Sequence, residues 1–429
     1  MTRTRSALGA LTAVALSAAV ASGCGSSDSK DTSTQAGTAA TTTSGGGATS
    51  AGASGDVLGT PKKATGKPLV FGMLNLESGP VTMPEVRVMA QAAIKYVNEY
   101  RGGINGRPIK LVTCVTDGQP STSSRCAGQV TDKNPVAIIG GADTGSPGAF
   151  PIYQRKKLAY VGGVPFTPVE SNAKDGVIFI SLVVADNAAA VQYAKTKLGV
   201  KKAVVLQTAD TQGKFTGSVI ANEMKHAGMS VKTVNVAPSA ADLSSPAAAA
   251  LSSSPDLIYV EVPNACPAML RALKAVGSTA KLMGIDPCTS PPALKAAGDA
   301  AEGLYFAQPF EPLSGPSKDA QLASAIISKY VPKDTAIDSP ALASLGSVIN
   351  LQAALSTISG DLNKESILDA FRSGSDHANF LAHPYTCDGN QVPSQSASCN
   401  SYQRIMQVKD GKVTAVGDDW VTGASLYKP

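Results

Sequence analysis

Aromatic residues are scarce in this chain of 429 residues: they make up 5% of it, with a single Trp. Bases of single-stranded nucleic acid stack on exposed aromatic faces, and this composition offers no such platform. Charge of one sign is scarce as well. The formal net charge of +5 falls to +3 once Arg3 and Arg5 of the leader are set aside (5 − 2 = 3), which is no basic field for a phosphate backbone. Three histidines, His226, His377 and His383, are too few and too scattered for a metal cage, and no two cysteines have the C-x-x-C spacing of a zinc or redox site. The part expected to fold contains no G-x-S-x-G elbow, P-loop or H-E-x-x-H, and Gly140 to Gly145, "GGADTG", does not fit G-x-G-x-x-G. The chain therefore reads as no enzyme, with no cofactor and no metal. The apolar run from Ala7 to Ala21 is shorter than the roughly 20 residues of a membrane-spanning helix.

That short run has another reading. Arg3 and Arg5 precede it, small residues Ala21, Ser22 and Gly23 end it, and the three parts together are a secretory signal over residues 1–23. The "ASGC" end resembles the lipobox of bacterial lipoproteins, with Ala21 where that motif usually has Leu. The resemblance implies that Cys24 is the lipidation site and that acyl chains anchor the protein to the cell membrane on its extracytoplasmic face. Residues 25–67 are Ser, Thr, Gly and Ala with almost no large apolar side chain, too little to offset ordering entropy. A flexible tether is expected, and its 67 − 25 + 1 = 43 residues would span roughly 35 Å as a coil.

The remaining residues, about 360, are too many for one ordinary core, so two domains are expected. Six cysteines follow Cys24, and an even count in an exported chain reads as disulfides. They form close couples along the chain, Cys114 with Cys126, Cys266 with Cys288, and Cys387 with Cys399. Neighbours are the expected partners among the 15 pairings that six cysteines allow.

Apolar strand-like runs alternate with helical patterns. The first series is Leu69 to Asn75, Ile109 to Thr116, Val136 to Gly140, Leu158 to Val161 and Val177 to Val183. Val86, Met89, Ala93, Val97 and Tyr100 recur at helical spacing, with Pro84 and Glu85 suited to a first turn. A second series is Ala203 to Gln207, Val231 to Val236, Leu257 to Val262, Leu282 to Asp286 and Leu304 to Phe310. Helical patterns then cover Ser317 to Tyr330, Pro340 to Ile358 and Lys364 to Phe371, and a hairpin joins Tyr402 to Val408 with Lys412 to Val416 through Asp410 and Gly411. Such alternation predicts an α/β fold of two Rossmann-like lobes with a ligand cleft between them, ligands sitting at the carboxyl ends of the strands. A right-handed βαβ unit also brings Cys266 and Cys288 to one sheet edge, since adjacent strands lie about 4.8 Å apart.

The segments "LVFGMLNLESGPV", "GGINGRPIKLV", "VAIIGGADTGSPGAFPIYQRKKLAYVGG" and "LIYVEVPNACPAMLRALKAVGSTAKLMGID" resemble, in order and spacing, the type I periplasmic binding proteins. Within these the chain is most similar to the leucine/isoleucine/valine-binding receptors of ABC transporters. The resemblance covers Pro68 to about Trp420 and implies two lobes joined by three hinge strands. It places lobe one at residues 68–185 and 312–383, and lobe two at 186–311 and 384–429.

The same resemblance nominates ligand contacts. Ser78 lies in the first segment, and Asp143, Thr144, Gly145 and Ser146 form a loop that follows a strand and opens a helix. Exposed N–H groups and hydroxyls there suit an anion. Asp143 would repel one and points to a neutral or cationic solute. Val164, Phe166 and Thr167 follow the next strand, with Phe166 at or beside the family's threonine. Gln212 stands where amino-acid binders have a tyrosine, Val262 and Pro263 replace another aromatic, and Asp286 falls where the family keeps a carboxylate for the ligand ammonium. The function implied is a monomeric solute-binding lipoprotein delivering an amino-acid-like, amide or aromatic/organic-acid solute to an ABC permease. A sensory module signalling to a membrane partner needs the same cleft and tether, and nucleic acid is no partner.

Overall fold

The structure is a computed structural model that describes residues 57–426 apart from 183, 239 and 241. The leader, Cys24 and the expected tether as far as residue 56 lie outside the described residues. The end of that expected tether, 57–67, is corrected: it is docked on the first lobe at Leu58 and Ala64, with most of its other residues exposed. Leu58 belongs to the first-lobe core, Ala64 is buried, and the Ala64 N–H donates to the Asn98 carbonyl at 2.8 Å. A few apolar side chains suffice to dock a short run that its Gly- and Lys-rich composition would leave free.

Strands β1 (Leu69–Leu76), β2 (Ile109–Thr116), β3 (Ala137–Ile139), β4 (Tyr160–Val161) and β5 (Gly176–Val177) form one sheet in the order β2-β1-β3-β4-β5. Every pairing is parallel, with Leu69 beside Ile109 and Leu76 beside Thr116. Helices α1 (Pro84–Tyr100), α2 (Pro120–Thr131), α3 (Phe150–Arg155) and α4 (Pro168–Ser171) connect them. Helix α1 buries Val86, Met89, Ala93 and Val97, the stripe its spacing predicts. The strand expected over Val177 to Val183 is corrected to Gly176–Val177. Ile178 makes a single bridge to Ser398, and Ile178, Phe179 and Ile180 are buried because the chain is crossing the core on its way out of the lobe.

The second sheet follows α5 (Val184–Thr196) and is built from β6 (Lys202–Thr208), α6 (Thr211–His226), β7 (Ser230–Val236), α7 (Ser244–Leu251), β8 (Leu257–Glu261), α8 (Cys266–Ala275), β9 (Lys281–Gly284), α9 (Pro291–Ala297) and β10 (Tyr305–Gln308). The chain then returns to the first lobe as α10 (Lys318–Tyr330), α11 (Ser339–Leu355) and α12 (Lys364–Arg372). It ends in the antiparallel hairpin β11 (Tyr402–Lys409) and β12 (Lys412–Thr422), which completes the order β12-β11-β10-β9-β8-β6-β7. Asp410 and Gly411 turn it with φ of 51° and 69°, as a two-residue hairpin loop demands. Helix α11 is small or apolar nearly all round and packs on α1, a buried helix rather than an amphipathic one.

The cores correct one lobe boundary. Tyr385, Cys387, Ala397 and Cys399 belong to the first-lobe core, so the final passage to the second lobe lies beyond Cys399 and not at residue 384. The Cys387–Cys399 disulfide ties off a loop whose Tyr385 ring packs 4.9 Å from Phe179. Three passages join the lobes side by side. Gln403 Nε2 donates to the Ser181 carbonyl at 3.3 Å, Gln308 pairs with Arg404, and Asn379 Nδ2 donates to the Phe179 carbonyl at 3.2 Å. All three expected disulfides are present, with Cα separations of 5.4, 5.5 and 4.3 Å in chain order.

Candidate functional site

The loops at the carboxyl ends of β1 to β4 hold most of the nominated residues. Gly141 lies so close to β1 that a Cβ would meet the Leu74 carbonyl oxygen at 2.0 Å, and the Ala142 N–H donates to Asn75 Oδ1 at 3.1 Å. This clamps the loop. Asp143 is 4% exposed, and its Oδ1 accepts from Thr116 Oγ1 at 3.0 Å, Ser123 Oγ at 3.0 Å and the Gly145 N–H at 3.1 Å. Burial pushes the Asp143 carboxyl above the usual carboxylate range, against the lowering effect of those hydrogen bonds. Its Oδ2 is buried without a partner.

A second network lies beside the first. Ser146 Oγ and Thr167 Oγ1 are 2.7 Å apart, and Thr167 caps α4 in a capping box with Glu170. Glu170 Oε2 accepts from the Phe166 N–H at 3.0 Å, the Thr167 N–H at 2.9 Å and Thr167 Oγ1 at 3.0 Å, while Tyr160 donates to Oε1 at 3.2 Å. Glu170 is wholly buried, and burial pushes its carboxyl up to about 8 despite those donors. Val164 is buried and bridges Ala142, which joins the two loops through the backbone. Ser78 is exposed, its N–H and hydroxyl both on the Thr116 carbonyl. Thr144 is exposed, and the Phe166 ring stands 39% exposed.

The second lobe contributes less. Gln212 is exposed on the first turn of α6, where its Nε2 reaches Thr216 Oγ1 at 3.3 Å. Asp286 opens a short 3-10 turn just past β9, beside Cys288. Burial raises its carboxyl, Asp338 raises it further, and the hydroxyl and N–H of Ser339 oppose them. Ser339 starts α11, and the hydrogen bond formed at Asp286 is local, from Thr289 Oγ1 to its carbonyl at 2.7 Å. The first-lobe residues are thus gathered into one wired edge, and Asp286 and Gln212 lie apart from it on the second lobe.

The reading from sequence missed Thr116, Ser123, Glu170 and Ser339. Thr167-Pro-Val-Glu170 carries a readable capping-box signature, whereas Ser339 acts on the Asp286 carboxyl only in the folded chain. Two cavities, of about 450 and 420 Å³, lie at the opposite edge: Leu69, Arg107 and Ser356 line one, Ser278, Lys281 and Tyr305 the other. Both sit at the amino ends of strands, away from the nominated residues. Among the described residues no group of His, Cys, Asp or Glu could hold a metal, and no helix is long and apolar enough to cross a membrane.

No curated protein matches the sequence. Among solved structures, the branched-chain amino acid transporter substrate binding protein LivJ of Streptococcus pneumoniae, in complex with isoleucine, is similar at 18% identity and TM-score 0.65, over 83% of this chain and 100% of that one. The fatty acid ABC transporter substrate-binding protein of Thermomonospora curvata is similar at 19% and 0.65, over 86% and 96%. A solute binding protein of an ABC transporter from Rhodopseudomonas palustris, in complex with 3,4-dihydroxy benzoic acid, is similar at 15% and 0.64, over 83% and 98%. These identities speak for the fold. Residues 68–412 match the periplasmic binding protein family, and with two mostly parallel sheets joined by three passages the chain belongs to that family of binding proteins, not enzymes.

Proposed function

We propose that the chain is a lipid-tethered extracytoplasmic receptor that captures a small solute between its lobes and delivers it to an ABC permease. The observation that carries this reading is the placement of Ser78, Thr144 and Phe166 at the carboxyl ends of one parallel sheet and of Asp286 just past the carboxyl end of a strand of the other. The range of solutes that the sequence and the relatives leave open is amino-acid-like, amide or aromatic/organic acid, a range that includes the isoleucine and 3,4-dihydroxy benzoic acid named for the similar structures. Cys24 is the proposed acylation site. A thermal-shift screen of small solutes, followed by copurification with a permease from native membranes, tests the reading. A solute bound only by the folded chain raises its melting temperature. Chemical turnover of that solute, or copurification with a signalling receptor in place of a permease, counts against it.

A further inference from the structure

On the reading of the chain as a solute receptor, the donors of the first lobe decide which solutes it admits. A ligand carboxylate needs free N–H or O–H groups. Here most are spent, the N–H of the exposed Thr144 excepted. The Gly145 N–H is held by Asp143 Oδ1, the Ser146 N–H by the Asp143 carbonyl at 3.2 Å, and the Phe166 and Thr167 N–H groups by Glu170 Oε2. Since the Thr167 hydroxyl donates to Glu170, the Ser146 hydroxyl 2.7 Å away must donate to Thr167, which consumes both protons. Glu170 accepts in this way whether or not it is ionised, and its complete burial leaves it no alternative rotamer in solvent.

Beside that single N–H, what these loops leave over is of the opposite kind. Their buried polar atom without a partner is an acceptor, Asp143 Oδ2. The carboxyl ends of the two sheets are rich in acids, among them Asp117, Asp210, Glu261 and Asp286, while Arg87 is closed on Glu77 at 2.7 Å and Lys214 lies on the first turn of α6. Apolar surface collects at the same edges. The exposed large hydrophobic side chains among the described residues are Val81, Val115, Phe166, Val169 and Phe215, each on a loop, helix start or strand end at the carboxyl side of a sheet. We propose that this receptor selects a solute with an apolar body and no carboxylate, an uncharged amide or alcohol or an amine, with Phe166 as the specificity-determining contact and Asp143 and Glu170 as positioning residues that close the anion cradle from within.

Two measurements on the full mature chain decide it. The first is calorimetric titration with matched sets on one apolar body: benzoate, benzamide and benzylamine; phenylalanine, phenylalaninamide and phenethylamine; leucine, leucinamide and isoamylamine. The amide or amine of at least one set is expected to bind about tenfold or more tighter than its acid, and Phe166→Ala, with an unchanged circular dichroism spectrum, is expected to weaken binding of that amide or amine about tenfold or more. An acid binding as tightly as its amide overturns the proposal, as does a chain that binds no member of any set. The second is amide hydrogen exchange in the ligand-free chain, where Gly145, Phe166 and Thr167 are expected to be protected; fast exchange that slows on adding leucine or benzoate overturns it. None of these outcomes touches the importer reading, which fails separately through turnover or the absence of a permease partner.

Discussion

Glu170 shows how one buried side chain can serve structure at a cost that depends on pH. Its carboxyl sits at about 8, and those of Glu223 and Glu261, each 7% exposed with one oxygen unpartnered, sit at about 8 and about 7, all raised chiefly by burial. In each case the folded chain keeps a proton that the unfolded chain releases near the ordinary carboxylate value. Stability is therefore fully present at acid pH below that value and is lost as pH rises through 7 and 8, by about 1.4 kcal/mol per pH unit for each group in its window. The melting temperature is expected to fall between about pH 5 and pH 8. Glu170→Gln keeps an oxygen for the Phe166 and Thr167 N–H groups but cannot ionise, so its decline over that range should be shallower. An equal decline in the two proteins would remove Glu170 from the explanation.

At the scale of elements, the carboxyl ends of β8 and β9 are tied together by the Cys266–Cys288 disulfide. One cysteine opens α8, and the other lies in the short turn that carries Asp286. Replacing both with Ala removes a loop closure of sequence separation 22, which the chain-entropy account values at about 3 kcal/mol. Urea unfolding should show that loss. The same variant loosens the backbone under Asp286, so the effect of Ser339 on its carboxyl is expected to weaken in parallel. Ser339, at the start of α11, lowers the Asp286 carboxyl against the effect of burial, and a double-mutant cycle on solute affinity tests whether the two act as a pair. Asp286→Ala and Ser339→Ala should each weaken binding by about 1 to 3 kcal/mol, with the double variant little worse than either alone. Full additivity would mean that the two residues act separately.

The whole molecule is two sheets joined by three adjacent passages, an arrangement that permits a hinge between them. Trp420, on β12 with the Arg404 guanidinium 5.3 Å from its ring and His383 at its edge, stands where the last passage enters the second lobe. Its position as the chain's single Trp makes it the natural optical reporter of closure. The proposed anchoring would act on the entire chain as well. One acyl chain gives marginal membrane binding and two give stable binding, so Cys24→Ala should release the protein from membranes into the soluble fraction. Membrane retention unchanged by that substitution would rule out the anchor.

The alternation of apolar runs with helical stripes decided the α/β architecture within the sequence itself, because periods of 2 and 3.6 residues are local properties of side-chain direction. The disulfide couples were legible for a related reason: each joins residues one or two elements apart. The site was legible only in outline. Phe166 and Asp143 could be nominated from their places after strands, but the use of the Phe166 N–H by Glu170 depends on a turn of α4 folding back, and the influence of Ser339 on the Asp286 carboxyl arises only in the folded chain. Likewise Leu58 and Tyr385 found their core partners in three dimensions, where burial is set by neighbours distant in the chain and not by the composition around each residue.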